Sequence, residues 1–337
     1  MKSIMRTAVM ALPLAAIMAL PASAEELVLK FATTNFPQAH LNVQIQHPWA
    51  KRLNEQGAGV LKIDVRDGPA VANHANFYQR VVDDVVQISW GVNSFVSGKF
   101  PRTEVVSLPY LAPSSEAASV ALRRLFKEGL LDAEYNEVVP LRFVGFPQAG
   151  LHLKAQPVST EDLQGLKVQA GGRMPSQIVA ALGGAPISLN ITEIYEGIQR
   201  GTVNGTIIQW TAFQPFKLAE VTKYHIDTGF GGAPAMVFMA TKRYQALPDA
   251  VRRIIDANSG EKDTREFGQF WDRVQNQGRE TVRAAGGHTI VKPTPAVEAK
   301  WRERLQPLAE EWTKTVPNGA RLLARYRAIL KEVQGAS

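Results

Sequence analysis

The stretch from Gln164 to Trp210 constrains the fold of this chain more than any other. It contains, in order, a strand, a glycine-rich turn, a helix, a short strand, a second helix, a turn and a strand: QGLKVQAGGRMPSQIVAALGGAPISLNITEIYEGIQRGTVNGTIIQW. Its glycines fall where strands meet helices, and Thr192 and Gly201 mark the two ends of the second helix. Strands that alternate with helices in this way predict a mainly parallel, doubly wound α/β sheet.

The same alternation continues along the rest of the chain. Strands are predicted at 27–35, 60–68, 85–91, 141–146, 151–155, 166–170, 203–210 and 235–241, and helices at 40–56, 76–82, 115–130, 175–182, 192–199, 250–285 and 295–333. The helix at 250–285 would span about 50 Å, which is enough to bridge two lobes.

The length of the chain is sufficient for two domains, although no low-complexity linker separates its halves. We therefore expect strands that cross between two lobes rather than one flexible tether. The predicted division assigns 25–147 and about 236–275 to lobe I. Lobe II would take 148–235 and about 276–330.

The N-terminus has the pattern of a secretory signal peptide. Lys2 and Arg6 precede an apolar run at 8–20, and Ala-Ser-Ala at 22–24 supplies the small residues of a cleavage site. We expect removal of residues 1–24 and a soluble mature protein in the periplasm. The chain has no cysteine, so it has no disulfide, no thiolate metal site and no lipid-modified cysteine anchor.

Net charge indicates a preference for small anions over nucleic acid. The chain carries 38 basic and 31 acidic residues, a formal charge of +7, and the basic residues are scattered. Nucleic-acid binding would need clustered charge interleaved with aromatic side chains. A mild positive field suits the attraction of small anions.

The sequence contains no motif of a familiar enzyme class. It has no nucleophile elbow, P-loop or zinc-protease motif. The segment GFGGAP at 229–234 resembles a dinucleotide fingerprint, but it has proline in place of the third glycine and precedes a strand, so it predicts a turn. The six histidines are dispersed without metal-ligand spacing. We expect no cofactor, no metal ion and no enzymatic activity.

Two tryptophans close predicted strands, one in each half of the chain. Trp90 is followed closely by Phe95, and Trp210 by Phe213. Ligands of open α/β sheets bind beyond the carboxyl ends of strands, so this pair predicts two facing walls of a cleft. The alternative is that each tryptophan packs into its own core, which is the commoner location for this residue.

Four segments are similar to the solute-binding proteins of tripartite ATP-independent periplasmic (TRAP) transporters, a DctP-like family. They are SGKFPRTEVVSLPYL (97–111), STEDLQGLKVQ (159–169), ALGGAPISLNITEIYEGIQRGTVNG (181–205) and FKLAEVTKYHI (216–226). The resemblance covers essentially the whole mature sequence. It implies a two-lobed α/β periplasmic-binding-protein fold, class II-like, with a long helix across both lobes and a cleft for a small organic acid. It also implies delivery of that ligand to membrane permease subunits. We expect a monomer.

One position departs from the family pattern. The resemblance places a carboxylate-binding arginine at the position of Gln169. A guanidinium supplies a fixed charge and a bidentate fork, whereas glutamine supplies only a neutral amide. Two explanations remain open at this point. Either Arg173, four residues further on, reaches the same cleft, or the ligand is neutral or presents a hydroxyl or carbonyl group to Gln169.

Further candidates for the site come from the family pattern and from their positions. Asn204 stands where the family has aspartate and is interpreted as structural, whereas Thr241 replaces an asparagine and is expected to affect the pocket. The remaining lining candidates lie in the loop after the first strand and near the crossover into the second lobe; they are Phe36, His40, Gln148 and His152.

The leading hypothesis is a periplasmic receptor that closes around an aromatic or hydrophobic carboxylate. Trp90 and Trp210 would clamp the apolar body, while Gln169 and Arg173 hold the polar end. Two alternatives remain: a secreted enzyme on the same scaffold, and a ligand receptor for a sensor kinase.

Overall fold

The structure is a computed structural model that describes residues 26–96 and 98–335. The predicted signal peptide, 1–24, lies outside these residues. Within the described ranges, no helix combines the length and the apolar composition needed to cross a bilayer.

The chain forms two sheets, one in each lobe. The strands are β1 (Leu27–Ala32), β2 (Leu61–Arg66), β3 (Ile88–Val92), β4 (Val138–Gly145), β5 (Gly150–Leu153), β6 (Lys167–Ala170), β7 (Ala185–Ile187), β8 (Gly205–Ile208), β9 (Tyr224–Ile226), β10 (Pro234–Ala240) and β11 (Thr289–Val291). The first sheet has the order β2-β1-β3-β10-β4 and the second β11-β9-β5-β8-β6-β7. This arrangement confirms the α/β class.

Helices cover both sheets. They are α1 (His47–Gln56), α2 (Phe77–Val82), α3 (Ser115–Lys127), α4 (Arg173–Ala181), α5 (Ile194–Gln199), α6 (Leu218–Val221), α7 (Thr241–Gln245), α8 (Asp249–Ala257), α9 (Glu261–Ala285), α10 (Pro295–Thr315) and α11 (Gly319–Gly335). A π-helical turn at Asn42–Gln46 precedes α1. The single helix expected at 250–285 is two helices, because the chain breaks at 258–260 and Gly260 becomes the N-cap of α9.

Each sheet contains one strand that runs against the others. β10 is antiparallel to β3 and β4, and β5 is antiparallel to β8 and β9. Both strands enter from the opposite lobe after a short connection. A strand that begins at the junction of the two lobes runs away from that junction, whereas its neighbours run toward it. This explains why β5 and β10 are antiparallel to their neighbours.

Two short crossovers join the edges of the sheets. Segment 146–149 links β4 to β5, and segment 227–233 links β9 to β10. The Ala149 N–H donates to the Gly231 carbonyl at 2.8 Å, and the Phe230 N–H donates to the Ala149 carbonyl at 3.0 Å. The carboxyl ends of β1, β3 and β4 and those of β6, β8 and β9 therefore meet at one bridge, with a cleft between them.

Helix α9 is the third connection between the lobes. Its 25 residues extend about 37 Å. Phe267 and Phe270 belong to the core of the first lobe, and Val282 belongs to a core of the second. One long helix thus contacts both lobes, as the resemblance implied.

The last two helices pack on different lobes. Helix α10 lies against α4 of the second lobe, and α11 lies against α3 of the first. The sequence placed the chain up to about residue 330 in lobe II, so the position of α11 differs from that division.

We expect Gly278→Ala to destabilise the protein although alanine favours helices. A Cβ at this position of α9 would lie 2.5 Å from the Trp210 carbonyl oxygen, so the helix would have to move away from the second lobe. Urea unfolding should show a loss of about 1–3 kcal/mol in the free energy of unfolding. The neighbouring variant Gln277→Ala should be neutral or slightly stabilising. A stabilised Gly278→Ala protein would contradict this packing.

Candidate ligand-binding cleft

The cleft lies between the carboxyl ends of the strands of the two sheets. On the first lobe its margin includes Ser94, just after β3, and on the second it includes Gly172, between β6 and α4. A Cβ built on Gly172 would lie 3.8 Å from the Cβ of Ser94, so the lobes approach closely here. Gly172 has φ +106°, a conformation that side chains disfavour, and it allows the chain to turn directly into α4.

Three buried polar atoms without partners lie in the segments that follow the first-lobe strands. The Oγ1 of Thr34, the Oδ1 of Asn93 and the Nε2 of Gln148 have no hydrogen-bond partner within the described part of the chain. These residues follow β1, β3 and β4, respectively. Thr34 also has φ +60°, which is unusual for a β-branched residue. Because buried polar atoms are nearly always paired, this margin is suited to a polar ligand or to water.

Sequence reasoning identified Gln148 but missed Thr34 and Asn93. Asn93 directly follows β3, a signal that the sequence carried, whereas Thr34 lies inside the strand predicted at 27–35 and falls after β1 only in the structure. The Gln148 amide is held in place because its Oε1 accepts a hydrogen bond from the Gly231 N–H at 2.8 Å. Its free donor is therefore fixed beside the bridge between the lobes.

Trp90 is not a wall of the cleft. Its side chain is 2% exposed and belongs to the core of the first lobe. The ring lies 5.2 Å from Phe267 and 6.4 Å from Trp271, both on α9. Because the residue lies within β3 and faces the helices, its indole is covered by α9.

Trp210 and Phe213 are also buried, in a separate core of the second lobe. The Trp210 ring lies 4.5 Å from the His152 ring, and its Nε1–H donates to Asp227 Oδ1 at 3.1 Å. The predicted pair of facing indoles is therefore wrong. The large rings fill the cores beneath the cleft margins, which is the alternative that the sequence left open.

Gln169 is buried below the cleft margin at the end of β6. It is 3% exposed. Its Oε1 accepts a hydrogen bond from the Thr206 hydroxyl at 2.5 Å, and its Nε2 donates to the Leu189 carbonyl at 3.2 Å. The Nε2 lies 3.8 Å from a Cβ built on Gly171, so its second N–H is next to the glycine turn. Gln169 therefore has one N–H donor left for a ligand, and its side chain carries no charge.

Arg173 is the first residue of α4, at the rim of the cleft. Its side chain is 71% exposed and lies 3.7 Å from the Glu311 carboxylate. It also acts on Glu104 of the first lobe: burial raises the pKa of the Glu104 carboxyl, while Ser107, Ser94 and the charge of Arg173 lower it. The guanidinium thus lies at the rim where the two lobes approach each other, and most of its surface is exposed.

His152 does not reach the cleft. It is fully buried, and both ring nitrogens are occupied, Nε2 by the Ile208 carbonyl and Nδ1 by His225 Nδ1, each at 3.1 Å. Burial lowers the pKa of His152 to about 3. Burial, together with His152, His288 and Lys223, lowers the pKa of His225 to about 2. Both imidazoles are neutral at ordinary pH, and a direct contact between His152 and ligand is excluded in this conformation.

Thr241 lies at the wrong end of its strand for a pocket residue. It follows β10, whose last residue, Ala240, pairs with Val138 at the start of β4. The cleft margin is at the other end of β10, about 20 Å away along a seven-residue strand. The expected effect of Thr241 on the pocket is therefore wrong. Asn204 is structural, since its Oδ1 accepts a hydrogen bond from the Lys167 N–H at 2.8 Å.

The remaining candidates lie on loops of the first lobe. Phe36 is 62% exposed, and His40 is partly exposed in the same loop after β1. Phe95 is 39% exposed and packs edge-on against His74 at 5.6 Å. Across 26–96 and 98–335, no group of three or more histidine and acidic side chains is arranged to hold a metal ion.

Comparison with known proteins identifies the family. The profile of bacterial extracellular solute-binding proteins, family 7 (DctP), matches residues 31–315. The chain belongs to this family. The resemblance noted in the sequence is thereby confirmed, and family 7 proteins are extracytoplasmic solute receptors of TRAP transporters.

Solved structures of family 7 proteins share the two-lobed fold. A TRAP solute-binding protein from Rhodoferax ferrireducens, solved with copurified benzoate, is 25% identical, has a TM-score of 0.84, and the match covers 92% of this chain and 100% of that one. A marine metagenome protein solved with 3-hydroxybenzoate is 24% identical with a TM-score of 0.85, covering 92% and 99%. A curated relative, the outer membrane transporter protein TsaT of Comamonas testosteroni, is 25% identical over 306 residues, or 87% of this chain and 88% of its own.

The two buried histidines should make stability depend on pH. Unfolded histidines take up protons below about pH 6.5, whereas His152 and His225 stay neutral in the folded protein. Because the unfolded state then binds more protons, the free energy of unfolding should fall as pH drops below 6.5. The slope is up to about 1.4 kcal/mol per pH unit for each histidine.

Urea unfolding at pH 7.5, 6.5 and 5.5 measures this slope in a range where carboxylates remain ionised. The variant His152→Gln should be less stable at pH 7.5 but should lose part of the pH dependence. Equal slopes in the two proteins would show that His152 is not held neutral by burial.

Proposed function

We propose that this protein is the extracytoplasmic receptor of a TRAP transporter for a small aromatic carboxylate, which it delivers to membrane permease subunits. The proposal depends chiefly on the margin between the two sheets, which are joined by short crossovers. This margin contains buried polar atoms without hydrogen-bond partners, and its floor is uncharged. The copurified benzoate in the Rhodoferax ferrireducens relative supports an aromatic acid. We further propose export through the N-terminal signal peptide.

The polar end of the ligand would bind at the start of α4. The first N–H groups of a helix have no partner within the helix and carry a partial positive charge. Gly172, the N-cap, has no side chain to satisfy them. Arg173 would supply an exposed guanidinium beside these groups, and Gln169 would supply one N–H donor. Together they would hold a carboxylate without the arginine that the family places at position 169.

The apolar body of the ligand would lie against residues that end strands and remain partly exposed. Phe146 follows β4 and packs 4.5 Å from Trp271, and Ile208 ends β8 on the opposite lobe. Phe95, exposed on the loop after β3, would cover the ligand when the lobes close. The buried Trp90 and Trp210 then act as rigid supports behind the margins. Gln148 would contribute its unpaired amide N–H.

Replacing Arg173 tests the polar end. The variant Arg173→Ala should raise the Kd for benzoate about tenfold, because a charged partner of the carboxylate is lost. The Kd of Arg173→Lys should lie between those of the unmodified protein and Arg173→Ala, since lysine keeps the charge but not the bidentate geometry of arginine. Isothermal titration calorimetry at fixed pH and salt measures these constants.

Arg200→Ala is the matched control. This arginine is 74% exposed and pairs with Glu196 on its own helix, so its removal changes the net charge equally at a site away from the cleft margin. Equal affinities in Arg173→Ala, Arg200→Ala and the unmodified protein would refute the role of Arg173. A failure of benzoate, 3-hydroxybenzoate and phenylacetate to bind the unmodified protein would refute the aromatic carboxylate.

A further inference from the structure

A row of buried polar side chains crosses the second sheet beneath the cleft. Gln169 on β6 pairs in register with Thr206 on β8, Thr206 pairs with His152 on β5, and His152 pairs with His225 on β9. Register partners on neighbouring strands share a face of the sheet. All four residues are no more than 3% exposed. The row therefore begins at the position of the missing arginine and ends at two histidines.

The histidines continue this row to the protein surface as a hydrogen-bonded chain. His152 Nδ1 lies 3.1 Å from His225 Nδ1, and His225 Nε2 lies 3.1 Å from His288 Nδ1. The His225 and His288 rings are stacked, with centroids 5.3 Å apart. His288 is partly exposed, so the chain connects solvent with the Ile208 carbonyl at the cleft margin.

Carbonyl groups lie at both ends of the chain, because His288 also donates a hydrogen bond to the Thr222 backbone carbonyl, and the Ile208 carbonyl fixes the direction of the hydrogen bonds between the neutral rings. The Ile208 oxygen can only accept, so His152 Nε2 carries a hydrogen and His152 Nδ1 is an acceptor. His225 Nδ1–H must then donate to His152, which leaves His225 Nε2 to accept from His288 Nδ1–H. The three neutral imidazoles thus have one tautomer each.

This arrangement is not a metal site. His225 uses opposite ring nitrogens toward its two neighbours, so the three histidines cannot converge on one ion. The surroundings also lack a counter-ion for a resident positive charge. Lys223 is a cation that acts on His225 and His288, and the Asp227 carboxylate is already paired with Arg279 at 2.8 Å and with the Trp210 indole.

We propose that a carboxylate bound in the cleft draws one proton into this histidine chain, which then supplies part of the positive charge that Gln169 lacks. The inference rests on the proposed function, because it requires an anionic ligand. The charge of Arg173 is screened at its exposed position and shared with Glu311. A bound anion therefore favours a second positive charge beneath the floor of the cleft.

The chain can accept one proton and keep its hydrogen bond to the Ile208 carbonyl and both hydrogen bonds between its rings. A solvent proton binds His288 Nε2, and the His288 Nδ1 proton passes to His225 Nε2. His288 is then neutral and accepts a hydrogen bond from His225 Nε2–H, while His225 is the imidazolium and still donates to His152. One further transfer, from His225 Nδ1 to His152 Nδ1, moves the charge next to the Ile208 carbonyl. One proton enters, and the net charge rises by one.

Calorimetry in buffers of different ionisation enthalpy measures the protons taken up when benzoate binds. Benzoate itself stays ionised above pH 5.5, because carboxylic acids titrate near about pH 4. Because burial and Lys223 favour the neutral imidazoles, we expect little proton uptake at pH 7.5 and a fraction of a proton per benzoate at pH 5.5. Affinity should increase in parallel, by at most about tenfold per pH unit for one linked proton.

Two variants interrupt the chain at different places. His152→Gln keeps a donor for the Ile208 carbonyl but cannot be protonated, and His288→Asn removes the exposed end. Both should bind benzoate with little or no proton uptake and with affinity that no longer rises toward pH 5.5. His47→Asn is the control, since His47 pairs with Asp67 on the first lobe, and it should retain the uptake.

The outcomes separate this inference from the proposed function. Benzoate binding without proton uptake, or uptake that persists in both chain variants, would overturn the histidine chain alone. A lack of binding by all three aromatic acids at every pH would overturn the proposed function and the coupling with it. Nitrogen NMR of the ligand-free protein gives an independent readout, because a hydrogen on His152 Nδ1 would contradict the required tautomers.

Discussion

The pairing of two short crossovers determines the geometry of the whole molecule. The Ala149 and Phe230 N–H groups hold segments 146–149 and 227–233 together, and each segment feeds one antiparallel strand into the next sheet. Gly231 is required here, because it has φ +86° and the Ser107 carbonyl occupies the space that a Cβ would need. With both edges anchored to one bridge and α9 packed across them, the strand ends face each other.

Electrostatics below the cleft differ from what a fixed arginine would produce. The floor of the second lobe is a neutral row from Gln169 to His225, and Arg173 adds its charge only at the exposed rim. A neutral floor avoids the cost of a permanently buried cation when no ligand is present. Under the proposed coupling, the binding free energy would also depend on protonation of His152 and His225, whose neutral form is favoured by burial.

Much of the fold could be read from the sequence, but less of the site. Periodicity located most strands and helices, and polar residues after strands pointed toward the cleft, as with Gln148. The assignment failed where side-chain direction mattered. Trp90 lies within β3 and Trp210 two residues after β8, and each ring turns inward, because burying a large indole in its own core is more favourable than exposing it at an open cleft. Thr241 failed because the direction of β10 became clear only from its pairing with β4.

The sequence by itself determined the α/β class and the family, and it places glutamine at position 169, where the resemblance implies arginine, since these features depend on local pattern and residue identity. Tertiary structure alone decided which polar residues share a face. Gln169, His152, His225 and His288 lie far apart along the chain, and only the register of four strands aligns the first three beneath the cleft. Strand register depends on long-range pairing and burial of the whole sheet, which no local pattern of residues specifies.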